Sequence, residues 1–124
     1  MDNNLTVDTY SFTLSYSDKT GSLRRNVAPG ASTPETMQIK HQTYTDSVTK
    51  RPGVQSVLII EKSKALTDGT VAVVARATLK VQSLTDAAVG STEILAVLSR
   101  IIGTIQEDDS GLDLADEIFV NKEQ

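Results

Sequence analysis

A chain of 124 residues without cysteine has the length of one domain, and it can build neither a disulfide framework nor a thiolate metal site, which fits a reducing compartment. No apolar run approaches the ~20 residues that span a bilayer, and the polar start Met1-Asp2-Asn3-Asn4 is the reverse of a secretory signal, so a soluble protein made in the cytoplasm is expected. The formal charge of −4 argues against nucleic acid until its distribution is read: residues 19–80 carry ten Lys and Arg against four acids, +6, leaving −10 for the two flanks. That asymmetry points to one basic surface with acidic material elsewhere, the plainer alternative being solvated charges that happen to segregate.

The first element alternates, with Tyr10, Phe12, Leu14 and Tyr16 on one side and Ser11, Thr13 and Ser15 on the other, the period of a half-buried strand. Asp18-Lys19-Thr20-Gly21 supplies turn chemistry, with Gly21 free to take positive φ, and Ser22 to Ala28 returns. Residues 1–28 thus form an N-terminal β-hairpin. Pro29-Gly30-Ala31-Ser32-Thr33-Pro34 reads as a loop. A strand follows from Glu35 to Thr45, with Met37, Ile39, His41 and Thr43 on one face and Gln38, Lys40, Gln42 and Tyr44 on the other. Asp46 to Gly53 is a polar turn. Val54 to Lys64 contains Val57-Leu58-Ile59-Ile60, apolar enough to be buried on both sides, so its inward face stays open. After Thr67-Asp68-Gly69, the strand Thr70 to Ser83 sends Val71, Val73, Ala75, Ala77, Leu79 and Val81 one way. It sends Ala72, Val74, Arg76, Thr78, Lys80 and Gln82 the other. Loops this short join strands antiparallel, so residues 35–84 predict a meander sheet.

The period then changes. Beyond Thr85-Asp86, either able to cap a helix, Ile94, Leu95, Val97, Leu98, Ile101, Ile102 and Ile105 recur three and four apart, the stripe of an amphipathic helix that begins at Ala87 or, given Gly90, at Ser91. Glu107-Asp108-Asp109-Ser110-Gly111 stops it and caps a second, short helix from Leu112 to about Val120. Strands first and two helices (86–121) last make a single α+β domain over 1–124. A helix from Ser91 to Gln106 is about 24 Å long and ~10 Å across, and strands lie ~4.8 Å apart, so it covers only about two of some five. A homodimer in which each copy's helices lie over the other's sheet or complete a shared layer resolves the mismatch, with Ile94, Leu95, Leu98, Ile101, Ile102 and Ile105 at the dimer interface, the alternative being a single compact domain whose hairpin folds back to help.

Enzyme chemistry is absent from the pattern. The single histidine, His41, sits mid-strand near Asp46 with no serine placed by sequence to complete a triad, and the acids Asp108, Asp109, Asp113, Asp116 and Glu117 do not match a calcium loop. No cofactor and no metal is expected. The positive feature is polar: Arg76, Thr78, Lys80 and Gln82 from one strand and Gln38, Lys40, Gln42 and Tyr44 from another, with Lys62 and Lys64 on the strand between. Arg and Lys neutralise phosphates while Thr, Gln and Tyr bond or stack on bases. Glu61 is the exception if its face is the polar one. Each strand alone is merely the wet face of an antiparallel sheet; together they favour RNA.

The segment Ala75-Arg76-Ala77-Thr78-Leu79-Lys80-Val81-Gln82-Ser83-Leu84-Thr85-Asp86, running into Thr92-Glu93-Ile94-Leu95-Ala96-Val97-Leu98, resembles the last strand and first helix of the coat proteins of single-stranded RNA bacteriophages, the levivirus type. The resemblance covers about Tyr10 to Val120, by order and pattern more than identity. It implies an interlocked dimer whose sheets join into one, helices outside and sheet inside a T=3 icosahedral capsid, and a virion assembled in the bacterial host cytoplasm. It further implies packaged RNA and a genomic hairpin gripped as a translational repressor. On this likeness Arg76, Thr78, Lys80 and Gln82 look inward at RNA, extended by Gln38, Lys40, Gln42, Lys62 and Lys64. One departure is plain: where the family has a long loop before its last strand, Ala65 to Gly69 is short. Either that contact is made elsewhere, as by the Asp46 to Gly53 turn, or the shell geometry differs. The runner-up is a cellular dimeric nucleic-acid-binding regulator of the same layout; an enzyme using His41 and Asp46 comes third.

Overall fold

The computed structural model describes residues 3–7, 10–106, 108–109, 112–113 and 116–120. The chain divides into two compact units, Met1–Thr85 and Asp86–Gln124. The first is one six-stranded sheet in which every strand pairs with its sequence neighbour: β1 (Asn4–Val7), β2 (Tyr10–Ser17), β3 (Gly21–Asn26), β4 (Glu35–Thr45), β5 (Pro52–Ala65) and β6 (Val71–Leu84). All pairs are antiparallel, as connections too short for a crossover require. Strand β1 is additional to the expected hairpin; Asn3, Asn4 and Asp8 dilute the apolar signal of Leu5 and Val7 below a legible period.

Aspartate closes three of the hairpins. Asp18 Oδ1 accepts from the Thr20 and Gly21 amides at 2.8 and 3.0 Å, Asp46 Oδ2 from the Thr49 amide at 2.7 Å, and Asp68 Oδ1 from the Thr70 amide at 3.0 Å. Lys50 takes left-handed φ of 59° in the second turn and Gly69 φ of 85° in the third, positions that carry the chain back into the ladder. Gly21 differs from expectation. It is not left-handed; it is needed for space, because a Cβ there would strike the Ile39 carbonyl of β4. These bonds hold the three carboxyls below the ordinary range, led by the Thr20 hydroxyl for Asp18, the Thr49 amide for Asp46 and the Thr70 hydroxyl for Asp68. A depressed folded-state value contributes stability above the unfolded value of about 3.9, lost as pH falls through the folded values. The triple variant Asp18→Ala, Asp46→Ala, Asp68→Ala is therefore expected to be less stable at neutral pH and to lose less stability between pH 5 and pH 2 than the parent. Urea unfolding across that range measures it, and equal acid slopes would contradict the assignment.

Cross-strand partners face the same side of a sheet, so the register sorts the side chains. Met37, Leu58 and Ile60 share one face with Ile39, Ala77, Leu79 and Val81, while Val57 and Ile59 fall on the other; the ambiguous run of β5 is thereby divided. Two bulges alter the sequence-based alternation. One at Ser15 puts Tyr16 opposite Leu23 and off the face of Phe12 and Leu14. The other, at Val74, brings Val73 opposite Ser63 and turns Val71 and Val73 onto the face of Arg76. A bulge inserts one unpaired residue and so shifts the pleat by one.

The core of this unit is small. Among the described residues only Phe12 and Met37 are buried apolar side chains, beside the buried polar Ser22, Arg24 and Asn26 of β3. Leu58, Ile60, Leu79 and Val81 remain half-buried and Ala77 exposed.

The second unit carries α1 (Ser91–Gln106). Its start is fixed by Glu93, whose Oε2 accepts from the Gly90 amide at 2.9 Å, the reciprocal half of a capping box with Gly90 as the cap. Asp86 instead holds a preceding turn through the Ala88 amide at 2.9 Å. None of the residues of α1 is buried, and Leu95, Val97, Ile101, Ile102 and Ile105 are all exposed. The expected second helix from Leu112 is not an α-helix. Leu112–Asp113 (β8) pairs with Asp108–Asp109 (β7), and Asp116–Val120 forms a single π-type turn; the rest of that segment lies outside the described residues. Four acids within Glu107 to Asp113 repel one another and favour extended pairing over a tight helical turn.

Candidate nucleic-acid interface

The three longest strands place their polar residues in ranks across one face. Gln42, Gln55 and Gln82 are mutual cross-strand partners, as are Lys40, Val57 and Lys80, then Gln38, Ile59 and Thr78, then Thr36, Glu61 and Arg76. Strand spacing of ~4.8 Å and ~6.8 Å between alternate residues of one strand set the mesh of this surface. Seven of the sequence-derived residues, Gln38, Lys40, Gln42, Arg76, Thr78, Lys80 and Gln82, are thus brought onto a single face.

Lys62 and Lys64 are not among them. Lys62 is partnered by Glu35 and Ala75, on the face of Met37, and Lys64 lies two residues further on the same side. Their assignment to the polar face is corrected by this register: a one-residue difference in position reverses the face. Arg76 is also not a free cation. Its Nη2 donates to Glu61 Oε2 at 2.8 Å, the guanidinium side 61% and the carboxylate side 22% exposed. The basic centre of the face is therefore Lys40 and Lys80, both exposed, on either side of Val57. The glutamine rank is ordered by Gln82 Nε2 donating to Gln55 Oε1 at 2.7 Å, with Gln55 buried.

Beside Lys40 a cavity of about 360 Å³ opens, lined by Tyr16, Asp18, Gly21, Gln38, Lys40 and Gln42 among others. Tyr16 walls it only because the Ser15 bulge turns that residue to this side. Sequence reasoning misses Tyr16, since Thr13-Leu14-Ser15-Tyr16 keeps perfect alternation and carries no bulge signal. An aromatic wall, amides and a lysine around this opening can stack a base, bond its edge and neutralise its phosphate.

His41 lies on the opposite face, its Nδ1 2.9 Å from Ser56 Oγ. Asp46, expected as its partner in the enzyme reading, has its Oδ2 engaged by Val48 and by Thr49 within the turn. The imidazole is thus engaged by the Ser56 hydroxyl, and Asp46 by its own turn.

The fold has a solved counterpart. The chain of the virus-like particle of bacteriophage AVE015 aligns with a TM-score of 0.56 and 16% identity, over 80% of this chain and 69% of its own. The coat protein of bacteriophage EMS014 aligns with a TM-score of 0.48 and 14% identity, over 88% of this chain and 72% of its own. No protein-family model and no curated protein matches the chain.

Proposed function

Starting from the fold of a bacteriophage coat protein, we propose that this chain is the coat subunit of a single-stranded RNA phage. It is a non-enzymatic protein that dimerises, assembles into an icosahedral shell in the cytoplasm of a bacterial host and packages RNA against its polar face. The observation that carries the RNA reading is the register that collects Gln38, Lys40, Gln42, Thr78, Lys80 and Gln82 on one side of three neighbouring strands.

Exposure supports the dimer. A domain with two buried apolar side chains among its described residues cannot offset chain entropy alone. Strand β6 ends the sheet, so one row of its N–H and C=O groups is unpaired, a template for another strand. A second copy joined at β6, its helix laid on the apolar face, satisfies both demands and is the interlocked arrangement. Ile94, Leu95, Leu98, Ile101, Ile102 and Ile105 then form the dimer interface. A T=3 shell and repression through an RNA hairpin in the cavity beside Lys40 complete the proposal.

Size-exclusion chromatography of the expressed chain tests it. Elution as particles rich in nucleic acid is expected. A dimer that never grows larger would overturn the coat reading and favour a cellular nucleic-acid-binding regulator.

Glu61 tempers the face by holding Arg76. Glu61→Gln removes the opposing charge and frees the guanidinium for a phosphate, so the salt dependence of single-stranded RNA binding is expected to steepen by about 0.7 in log–log slope. Filter binding at several salt concentrations measures it, and an unchanged slope would show that Arg76 reaches no phosphate.

A further inference from the structure

A dimer built across β6 and α1 uses one self-complementary surface and stops at two copies. A closed shell needs a further contact between two different surfaces, so that copies follow one another around an axis. Among the described residues, the most exposed large apolar residue is Val48, 86% exposed in the turn between β4 and β5. Val120 is next at 68%, beside Phe119 at 59%, both in the turn Asp116–Val120. None of the three belongs to the polar face or to the stripe of α1.

The β4–β5 turn holds Val48 in water by a dense set of bonds. Asp46 Oδ2 accepts from the Val48 and Thr49 amides at 3.2 and 2.7 Å and from the Thr49 hydroxyl at 2.8 Å. The Asp46 carbonyl accepts from the Lys50 amide at 2.9 Å, and the Arg51 carbonyl from the Asp46 amide at 2.9 Å. A turn fixed in this way loses little freedom on docking, and its apolar tip gains nothing from burial within its own chain. The two exposed sites also match in charge. Lys50 is exposed two residues from Val48. Asp116 and Glu117 open the turn that carries Phe119 and Val120, and no Lys or Arg occurs between Ile101 and Asn121.

We propose that the β4–β5 turn docks on the Asp116–Val120 turn of a neighbouring copy, with Val48 against Phe119 and Val120 and with Lys50 beside the carboxylates of Asp116 and Glu117. The contact joins two different surfaces, so it repeats head to tail and closes into rings, while β6 and α1 hold each dimer. It rests on the coat-subunit reading and assigns the contact by which dimers grow into a shell.

The full chain has no cysteine, so a disulfide reports introduced thiols alone. Val48→Cys with Val120→Cys in one chain, oxidised after assembly, is expected to give a ladder of ever longer linked chains on a non-reducing gel, and either variant alone to give none. Val48→Asp, at a site that folding does not bury, is expected to leave the dimer and its thermal midpoint unchanged and to lower particle yield by about tenfold or more. Lys50→Glu is expected to lower the yield as well, and Lys50→Glu with Asp116→Lys and Glu117→Lys to restore it. Particles from Val48→Asp at the parent's yield, a double-cysteine variant linked only within single chains, or Val48→Cys linked by itself would overturn this contact while the coat-subunit reading stands. A parent that never exceeds the dimer would overturn that reading and the contact with it.

Discussion

Replacing Ile101, Ile102 and Ile105 together with serine is expected to abolish particle formation and to raise the dimer dissociation constant at least a thousandfold. The three residues are each 45–50% exposed in the single chain, and in the proposed dimer a second copy buries them. Full burial of an isoleucine contributes about 1.5–3 kcal/mol, so covering the exposed half of three in each of two copies contributes roughly 4.5–9 kcal/mol, which at ~1.4 kcal/mol per tenfold is at least three decades. Sedimentation of the variant and parent over a dilution series reads the change directly. A variant that stays folded, with the sheet's spectroscopic signature intact and the dimer constant unmoved, would show that α1 is not the interface.

The second large effect belongs to the lysine rank. Lys40→Ala with Lys80→Ala is expected to weaken single-stranded RNA binding across all sequences and to lower the salt slope by about 1.4, which is ~0.7 for each phosphate left without its cation. Lys62→Ala with Lys64→Ala removes the same charge from the apolar face and is expected to leave the slope nearly unchanged, because a cation seated on a phosphate, and not net charge, releases counterions. Equal effects from the two pairs would mean that the face does not discriminate and that RNA is held by overall charge.

The contrast between the two pairs also marks where the sequence is legible. Alternation in Glu35 to Thr45 assigns Gln38, Lys40 and Gln42 to one side correctly, and alternation from Arg76 to Gln82 does the same, since each run is a regular strand. The run around Ile59 is apolar on both sides, so only its hydrogen-bonded partners decide that Lys62 faces away. Period-two reasoning fails at bulges for the same reason: Tyr16 and Val73 change face through one unpaired residue apiece, and neither neighbourhood carries a glycine or proline to announce it. Helix α1 is legible because seven apolar residues repeat at its period, and its start follows from Gly90 with Glu93 three positions later. The segment from Leu112 misleads because the acids clustered at Glu107 to Asp113 disfavour the tight helical turn that its capping residues suggest. The candidate site divides likewise. Its cations and amides are written in the strands, whereas the cavity wall at Tyr16 and the Glu61–Arg76 pair arise only from register.

In the proposed coat subunit this sheet lines the inside of an RNA-filled shell with its lysine rank toward the nucleic acid. Electron cryomicroscopy of particles from the expressed chain tests it most directly. Closed icosahedral shells are predicted, with Lys40 and Lys80 pointing to internal RNA density and the α1 isoleucines buried against a second copy. Particles whose lysine rank faces the exterior, or preparations that hold only small oligomers, would contradict it.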